Sequence, residues 1–241
     1  VIQKITNQVC GCGYIGTSYA TRAEADMVAK KLNLNPNMDL LDLGAGAGWP
    51  GLYLAKKSGC RVTLLDVPEN GLRIARERSV ADRTSGRVQI VNGDASNLPF
   101  GPGSFAAITH SDVLCCLLSK KRVLEECRRV ISNTGRMAFS VIEVATGLSE
   151  VERARALDAG PEFVGCEQPY GEMLEETSWE IDARIDRTSE LESAYQSLIH
   201  VEQKHETDLR SLRGDANYKE GQDVWAKKLM AVRNGFLRRF L

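Results

Sequence analysis

Along the first 145 residues, short apolar runs alternate with stretches whose apolar positions recur every three to four residues. In residues 18–34 (SYATRAEADMVAKKLNL), Ala25, Val28, Ala29 and Leu32 fall at helical spacing. Asn35-Pro36-Asn37 ends that helix, because proline restricts the residue before it and removes a ladder donor. Asp39–Leu43 is then a short apolar run stopped by glycines, the pattern of a strand buried on both faces. A helix follows at 50–58, a strand at Arg61–Asp66, a helix at 69–82 and a strand at Val88–Asn92. After a loop come a strand at Phe105–Thr109, a helix at 119–131 and a strand at Arg136–Glu143. This alternation predicts a single α/β domain: a Rossmann-like, doubly wound, mostly parallel sheet with helices on both faces.

Beyond residue 145 the rhythm changes. Residues 149–160 are expected to be helical, Tyr170–Trp179 a short helix and Glu180–Asp186 a strand. From Glu190 to Leu212 one long helix is predicted, with Leu191, Tyr195, Leu198, His205, Leu209 and Leu212 on one stripe, then another helix over 219–235. Two helices this late exceed what the sheet needs, and they are expected to cap the strand C-terminal ends, where such folds bind ligands. Phe236–Leu241 is read as the beginning of a closing antiparallel strand, or as a truncated one.

Composition changes the picture in three places. The chain of 241 residues is 43% hydrophobic and 26% charged, which suits one packed core and not a disordered chain. A net charge of −1 provides no overall basic excess for phosphates, so nucleic acid is an unexpected partner. The seven cysteines are odd in number and irregular in spacing, and they are expected to be reduced thiols of a cytoplasmic protein. Cys10-x-Cys12 has no matching pair at zinc-ligand spacing, so no metal site is expected. No apolar run reaches membrane-spanning length, and no signal peptide is recognised at the N-terminus.

The chemistry concentrates in LLDLGAGAGWPGLYLA, residues 40–55. A buried strand ends at Asp42, and Gly44, Ala45, Gly46 and Gly48 turn the chain into a helix. Glycine permits positive φ and lets a ligand approach the backbone. Gly46, Gly48 and Gly51 also spell G-x-G-x-x-G, which by itself would indicate a dinucleotide. Asp66 closes the second strand about 20 residues further on, where a carboxylate accepts from ribose hydroxyls of either NAD or S-adenosylmethionine. The third strand runs into Gly93-Asp94-Ala95 and then Asn97-Leu98-Pro99-Phe100. A carboxylate there can accept from an adenine amine beside an apolar ring site, a combination a nicotinamide enzyme does not need.

The segments LLDLGAGAGWPG, VTLLDVPENGLRIAR, VNGDASNLPFGPGSFAAITHSDVLCCL and RRVISNTGRMAFSVIE lie in an order that resembles the class I S-adenosylmethionine-dependent methyltransferases, specifically the small-molecule type 11 group. The resemblance covers about residues 20–145. It implies a methyl transfer to a small-molecule acceptor, with S-adenosyl-L-homocysteine as product. The turn from Asp42 to Gly48 would hold the methionine part of the cofactor, Asp66 the ribose, Val67 the adenine face, and Gly93, Asp94 and Ala95 the adenine edge. His110 would pass the sulfonium end. Ala106 stands where the family often has Asp. The implied organisation is an N-terminal helical segment (1–37), a cofactor core (38–145) and a C-terminal part with a substrate cap (146–241).

His110 is the candidate general base and Asp112 a candidate acceptor contact, local packing being the alternative for both. His205 is expected to be a core histidine or an acceptor contact, and Cys115 and Cys116 to be buried packing residues. Tyr14 and Tyr19 are expected to close over the cofactor or to anchor the N-terminal segment. Arg233, Arg238 and Arg239 are expected on a solvated face. The long helix and the Tyr14–Tyr19 segment are expected to roof the acceptor site together, the competing use of the stripe being a dimer interface. Two other functions stay open: methyl transfer to protein or RNA, and cofactor binding without catalysis.

Overall fold

Six strands pair into one sheet: β1 (Asp39–Leu43), β2 (Arg61–Asp66), β3 (Val88–Asn92), β4 (Phe105–Ser111), β5 (Ile131–Val144) and β6 (Leu237–Phe240). Their order is β3-β2-β1-β4-β5-β6, and every pairing is parallel except the antiparallel β5–β6 pair. The computed structural model describes residues 1–12 and 19–241. The order reverses at β1, so the glycine turn after it lies at the topological switch point, where open α/β sheets bind ligands.

Alternate residues of β1 serve opposite cores. Leu41 and Leu43 join a cluster with Ile108 and Leu124, whereas Leu40 joins one with Leu52, Val62 and Leu64. Burial on both faces is why the strand is a continuous apolar run. The second cluster is closed by α2 (Arg22–Lys31), α3 (Gly51–Ser58) and α4 (Glu69–Ala81), the first in part by α5 (Lys120–Val130). Thr21 caps α2 by accepting the Glu24 N–H at 3.2 Å, and at the other end Lys30 and Lys31 lie in the last turn.

The C-terminal part is helical. α6 (Glu150–Ala159) starts with a capping box between Ser149 and Glu152, and α7 (Tyr170–Glu176) is a short helix ending before Trp179. The single helix expected over Glu190–Leu212 is two, α8 (Thr188–Lys204) and α9 (Glu206–Arg213), parted at His205. The break turns Leu209 onto Val201, Tyr218 and Ile5 of the N-terminal helix α1 (Ile2–Cys10). α10 (Asp215–Arg233) packs along α8 and leads into β6.

Four expectations are corrected. Glu180–Asp186 is not a strand; only its end pairs, through a bridge from Asp186 to Phe240 and reciprocal Ile185–Leu241 backbone bonds. Arg239 is not on a solvated face but 1% exposed, because it meets two carboxylates inside the fold. Cys12 is disulfide-bonded, so the cysteines are not all reduced; Cys60, Cys115, Cys116, Cys127 and Cys166 are free. Cys116 is exposed and not a packing residue.

Candidate active site

The turn between β1 and α3 is built from both sides. Gly44 and Gly46 sit at φ +62° and +50°, a region in which a side chain costs about 1–2 kcal/mol. A Cβ on Gly44 would collide with Val113 Cγ2, so the loop after β4 lies against this residue. At Gly46 a Cβ would meet nothing within 4 Å, which marks the open side of the turn. Ala45 and Gly48 are buried beneath it. Asp42 is 1% exposed and points under the turn, where Oδ2 accepts the Gly51 N–H at 2.9 Å. Burial, reinforced by the nearby Asp66 charge, pushes its carboxyl up to about 8. Asp42 thus supports the turn from below.

Asp66 closes β2 and clamps the same turn. Its Oδ2 accepts the Gly46 N–H at 2.6 Å and its Oδ1 the Val67 N–H at 2.7 Å. Each oxygen keeps a lone pair for a further donor. Val67, a large apolar side chain, is 62% exposed beside this carboxylate. At the end of β3, Gly93 donates to the Asp66 carbonyl at 3.1 Å, Ala95 is buried and Asp94 is exposed. The Asp94 Oδ1 accepts from Ser96 N–H at 2.8 Å. Gly44, Gly46, Asp66, Val67 and Asp94 therefore come together along the C-terminal edge of β1, β2 and β3.

His110 does not join this edge. It is 2% exposed, its ring is stacked on Phe139 at 4.5 Å, and burial drops its pKa to about 3. Neither ring nitrogen has a hydrogen-bond partner among the described residues. Such a ring is a poor proton acceptor near neutrality, which favours local packing over the general-base reading of His110. A second group of side chains gathers around the loop after β4. Tyr19 meets Tyr195 edge-on at 5.0 Å, and the two hydroxyls are hydrogen-bonded with Asp112, Cys115 and Cys116 nearby. The Cys116 thiol is drawn down by its hydrogen bond with Cys115 and by the Lys228 and Lys120 charges. Tyr14 lies outside the described residues. His205 forms the α8–α9 joint, with Nδ1 3.9 Å from Asp208.

Three features here carried no local signal in the sequence. Arg239 reaches Glu24 and Asp112, which are 215 and 127 positions away. Tyr170 is 6% exposed, with its hydroxyl unpartnered among the described residues. Lys228 is half-buried near Cys115 and Cys116, and its pKa is lowered by that burial.

This edge lies in the stretch that known proteins match. Residues 41–139 match the Methyltransferase domain family, type 11. The match takes in less than half of the chain and includes the glycine turn, Asp66 and Asp94. The chain is similar to Methyltransferase GfsG of Streptomyces halstedii, 30% identical over 129 residues covering 54% of this chain and 46% of that protein. A longer match, 24% identical over 222 residues, runs to Phosphoethanolamine N-methyltransferase 1 of Zea mays and covers 92% of this chain but 44% of that protein. The chain thus spans less than half the length of either relative. Among solved structures, a putative sarcosine dimethylglycine methyltransferase from Galdieria sulphuraria superposes with a TM-score of 0.83 at 19% identity, covering 92% of this chain and 83% of that one. Among the described residues no group of three His, Cys, Asp or Glu could hold a metal ion, and no helix is long and apolar enough to cross a membrane.

Proposed function

We propose that this methyltransferase moves the methyl group of S-adenosylmethionine to a small-molecule acceptor by in-line displacement. The observation that carries this is the open face of Gly46 beside Asp66 and the exposed Val67. These residues suit an adenosine. Asp66 has lone pairs for two ribose hydroxyls, Val67 offers an apolar face for adenine, and Asp94 has a second oxygen for the adenine amine. Gly44 and Gly46 leave backbone room for the amino-acid end. The cofactor supplies an activated methyl on a sulfonium. The protein's contribution is then alignment and exclusion of water, with no obligatory general base.

The Tyr19–Tyr195 pair, Tyr170, Cys116 and Lys228 supply the acceptor side of the pocket. α8 and Tyr19 form its roof. His110 is given no catalytic role. Five free thiols support a reducing, cytoplasmic setting, and the disulfide at Cys12 argues the other way. Calorimetry with S-adenosylhomocysteine and with NAD tests the cofactor assignment; tighter NAD binding overturns it. Tritiated methyl transfer across a panel of small amines, phenols, carboxylates and thiols, beside bulk protein and RNA, then tests the acceptor class.

A further inference from the structure

Arg239 is bonded through Nε, Nη1 and Nη2 alike, and methyl transfer as outlined above gives it no part. Its Nη1 and Nη2 donate to the two Glu24 carboxylate oxygens at 2.6 and 2.7 Å. Nε donates to Asp112 Oδ1 at 2.9 Å and Oδ2 at 3.1 Å, and Nη2 also reaches Ser140 Oγ at 2.8 Å. Arg239 and Glu24 are 1% and 3% exposed at the side chain, and Asp112 8%. The planar fork of a guanidinium matches two carboxylates at fixed angles, which an ammonium cannot do. One residue of β6 therefore ties α2, β5 and the loop after β4 together.

The loop it holds is strained and lies against the cofactor turn. Asp112 adopts φ +56°, a left-handed conformation that persists only where surroundings enforce it. Its backbone N–H donates to Ser140 O at 2.9 Å, and its carbonyl accepts the Cys115 and Cys116 thiols at 3.2 and 3.4 Å. The next residue, Val113, fills the space where a Gly44 side chain would be. The sequence of contacts is Arg239 to Asp112 to Val113 to Gly44.

We propose that Arg239 is a positioning residue for the cofactor site: by fixing Asp112 it sets Val113 against Gly44 and so holds the glycine turn in its ligand-ready shape. This rests on the methyl-donor reading, and it assigns Arg239 no contact with cofactor or acceptor. A lysine at 239 keeps the charge and loses the fork. The Asp112 turn then relaxes, and affinity for the turn's ligand falls although the ligand's own contacts are untouched.

The test is a double-mutant cycle read by S-adenosylhomocysteine affinity in calorimetry, at a temperature where circular dichroism shows each variant folded. Arg239→Lys and Val113→Ala should each weaken binding by roughly tenfold, and together by far less than the product, because they act on one line of contacts. Arg239→Lys with wild-type affinity but lower thermal stability would make the network purely structural and overturn the proposal; so would full additivity with Val113→Ala. Should Arg239→Lys fail to fold, Asp112→Asn decides in its place, since it weakens the same pair from the loop's side; unchanged affinity then overturns the proposal. Wild-type protein that binds no S-adenosylhomocysteine would instead overturn the methyl-donor reading on which the proposal stands.

Discussion

Asp66 Oδ2 accepts the Gly46 N–H at 2.6 Å, so the carboxylate assigned to the ribose also fastens the glycine turn to the end of β2. The parallel register carries the neighbouring backbone the same way, with Ala45 N–H donating to Leu65 O at 3.2 Å. The acid proposed to bind the ribose is also a structural clamp, and its removal should register in both properties.

For Asp66→Ala, S-adenosylhomocysteine affinity should fall roughly tenfold to a hundredfold, since charge-assisted hydrogen bonds contribute about 1.5–3 kcal/mol. Thermal stability of the ligand-free protein should fall too, because the Gly46 and Val67 N–H groups lose their acceptor. Calorimetry and thermal melts on one preparation check both. A variant that keeps its affinity places the ribose elsewhere.

The two turn glycines should fail differently. Gly46→Ala meets no atom but places a methyl on the open face, so stability should drop by only about 1–2 kcal/mol while cofactor affinity drops steeply. Gly44→Ala drives a methyl into Val113, and Val113→Ala should relieve it. The same second substitution should give Gly46→Ala no rescue and add only the loss that Val113→Ala causes by itself. Calorimetric titrations of the four variants read this pattern, and rescue of both glycines alike would contradict the geometry.

The sheet and this edge were legible in the sequence because both depend on local pattern. β1, β2 and β4 are buried on both faces, which leaves continuous apolar runs, and a turn that needs positive φ leaves glycines. Arg239 illustrates what was not legible. Its neighbours Arg238 and Phe240 give no sign of burial, and its partners Glu24 and Asp112 lie on distant elements. The break at His205 has a similar cause. The stripe of α8 continues unbroken in sequence, but Leu209 must turn toward Ile5 and Tyr218, and only the docking of α1 and α10 sets that direction. His110 sits at a plausible position along the chain, and its stacking on Phe139 across the β4–β5 register is a tertiary fact.

Two buried titratable groups should shape stability against pH in opposite directions. His110 has a folded pKa near 3 against 6.5 when free, so the unfolded chain binds more protons between those values and stability is lost as pH falls through 6.5 toward 3. Asp42 has a folded pKa near 8 against 3.8 when free, so the folded chain binds more protons and stability is lost as pH rises from about 4 to 8. The two slopes cancel between about pH 4 and 6.5, so urea midpoints should be nearly level there and fall from about 6.5 to 8. Asp42→Asn should uncover a rise from about 4 to 6.5 and a level stretch above it, and His110→Leu a fall that starts near pH 4. Unaltered slopes in both variants would mean that neither group titrates as its burial requires.

The proposed roof over an acceptor site can be separated from simple scaffolding by a single atom. Tyr195 is 1% exposed, lies 5.0 Å from the Tyr19 ring and 6.0 Å from the Trp225 ring, and hydrogen-bonds the Tyr19 hydroxyl. The stripe on α8 is covered within the chain by α1 and α10, so it leaves little of the surface that a dimer would use. Tyr195→Phe keeps the ring packing and deletes only the hydroxyl, which limits the stability loss to about 0.5–1.5 kcal/mol. S-adenosylhomocysteine affinity should stay within about twofold, since Gly46, Asp66 and Val67 are untouched. The acceptor KM should rise several-fold, because Tyr19 loses the partner that aims it toward Asp112 and Cys116. Mass by light scattering should not change with concentration in Tyr195→Phe or Leu198→Ala. A Tyr195→Phe enzyme with reduced stability but unaltered acceptor kinetics would make the tyrosine pair a strut of the helical layer, and the acceptor would then have to be sought nearer Tyr170 and Lys228.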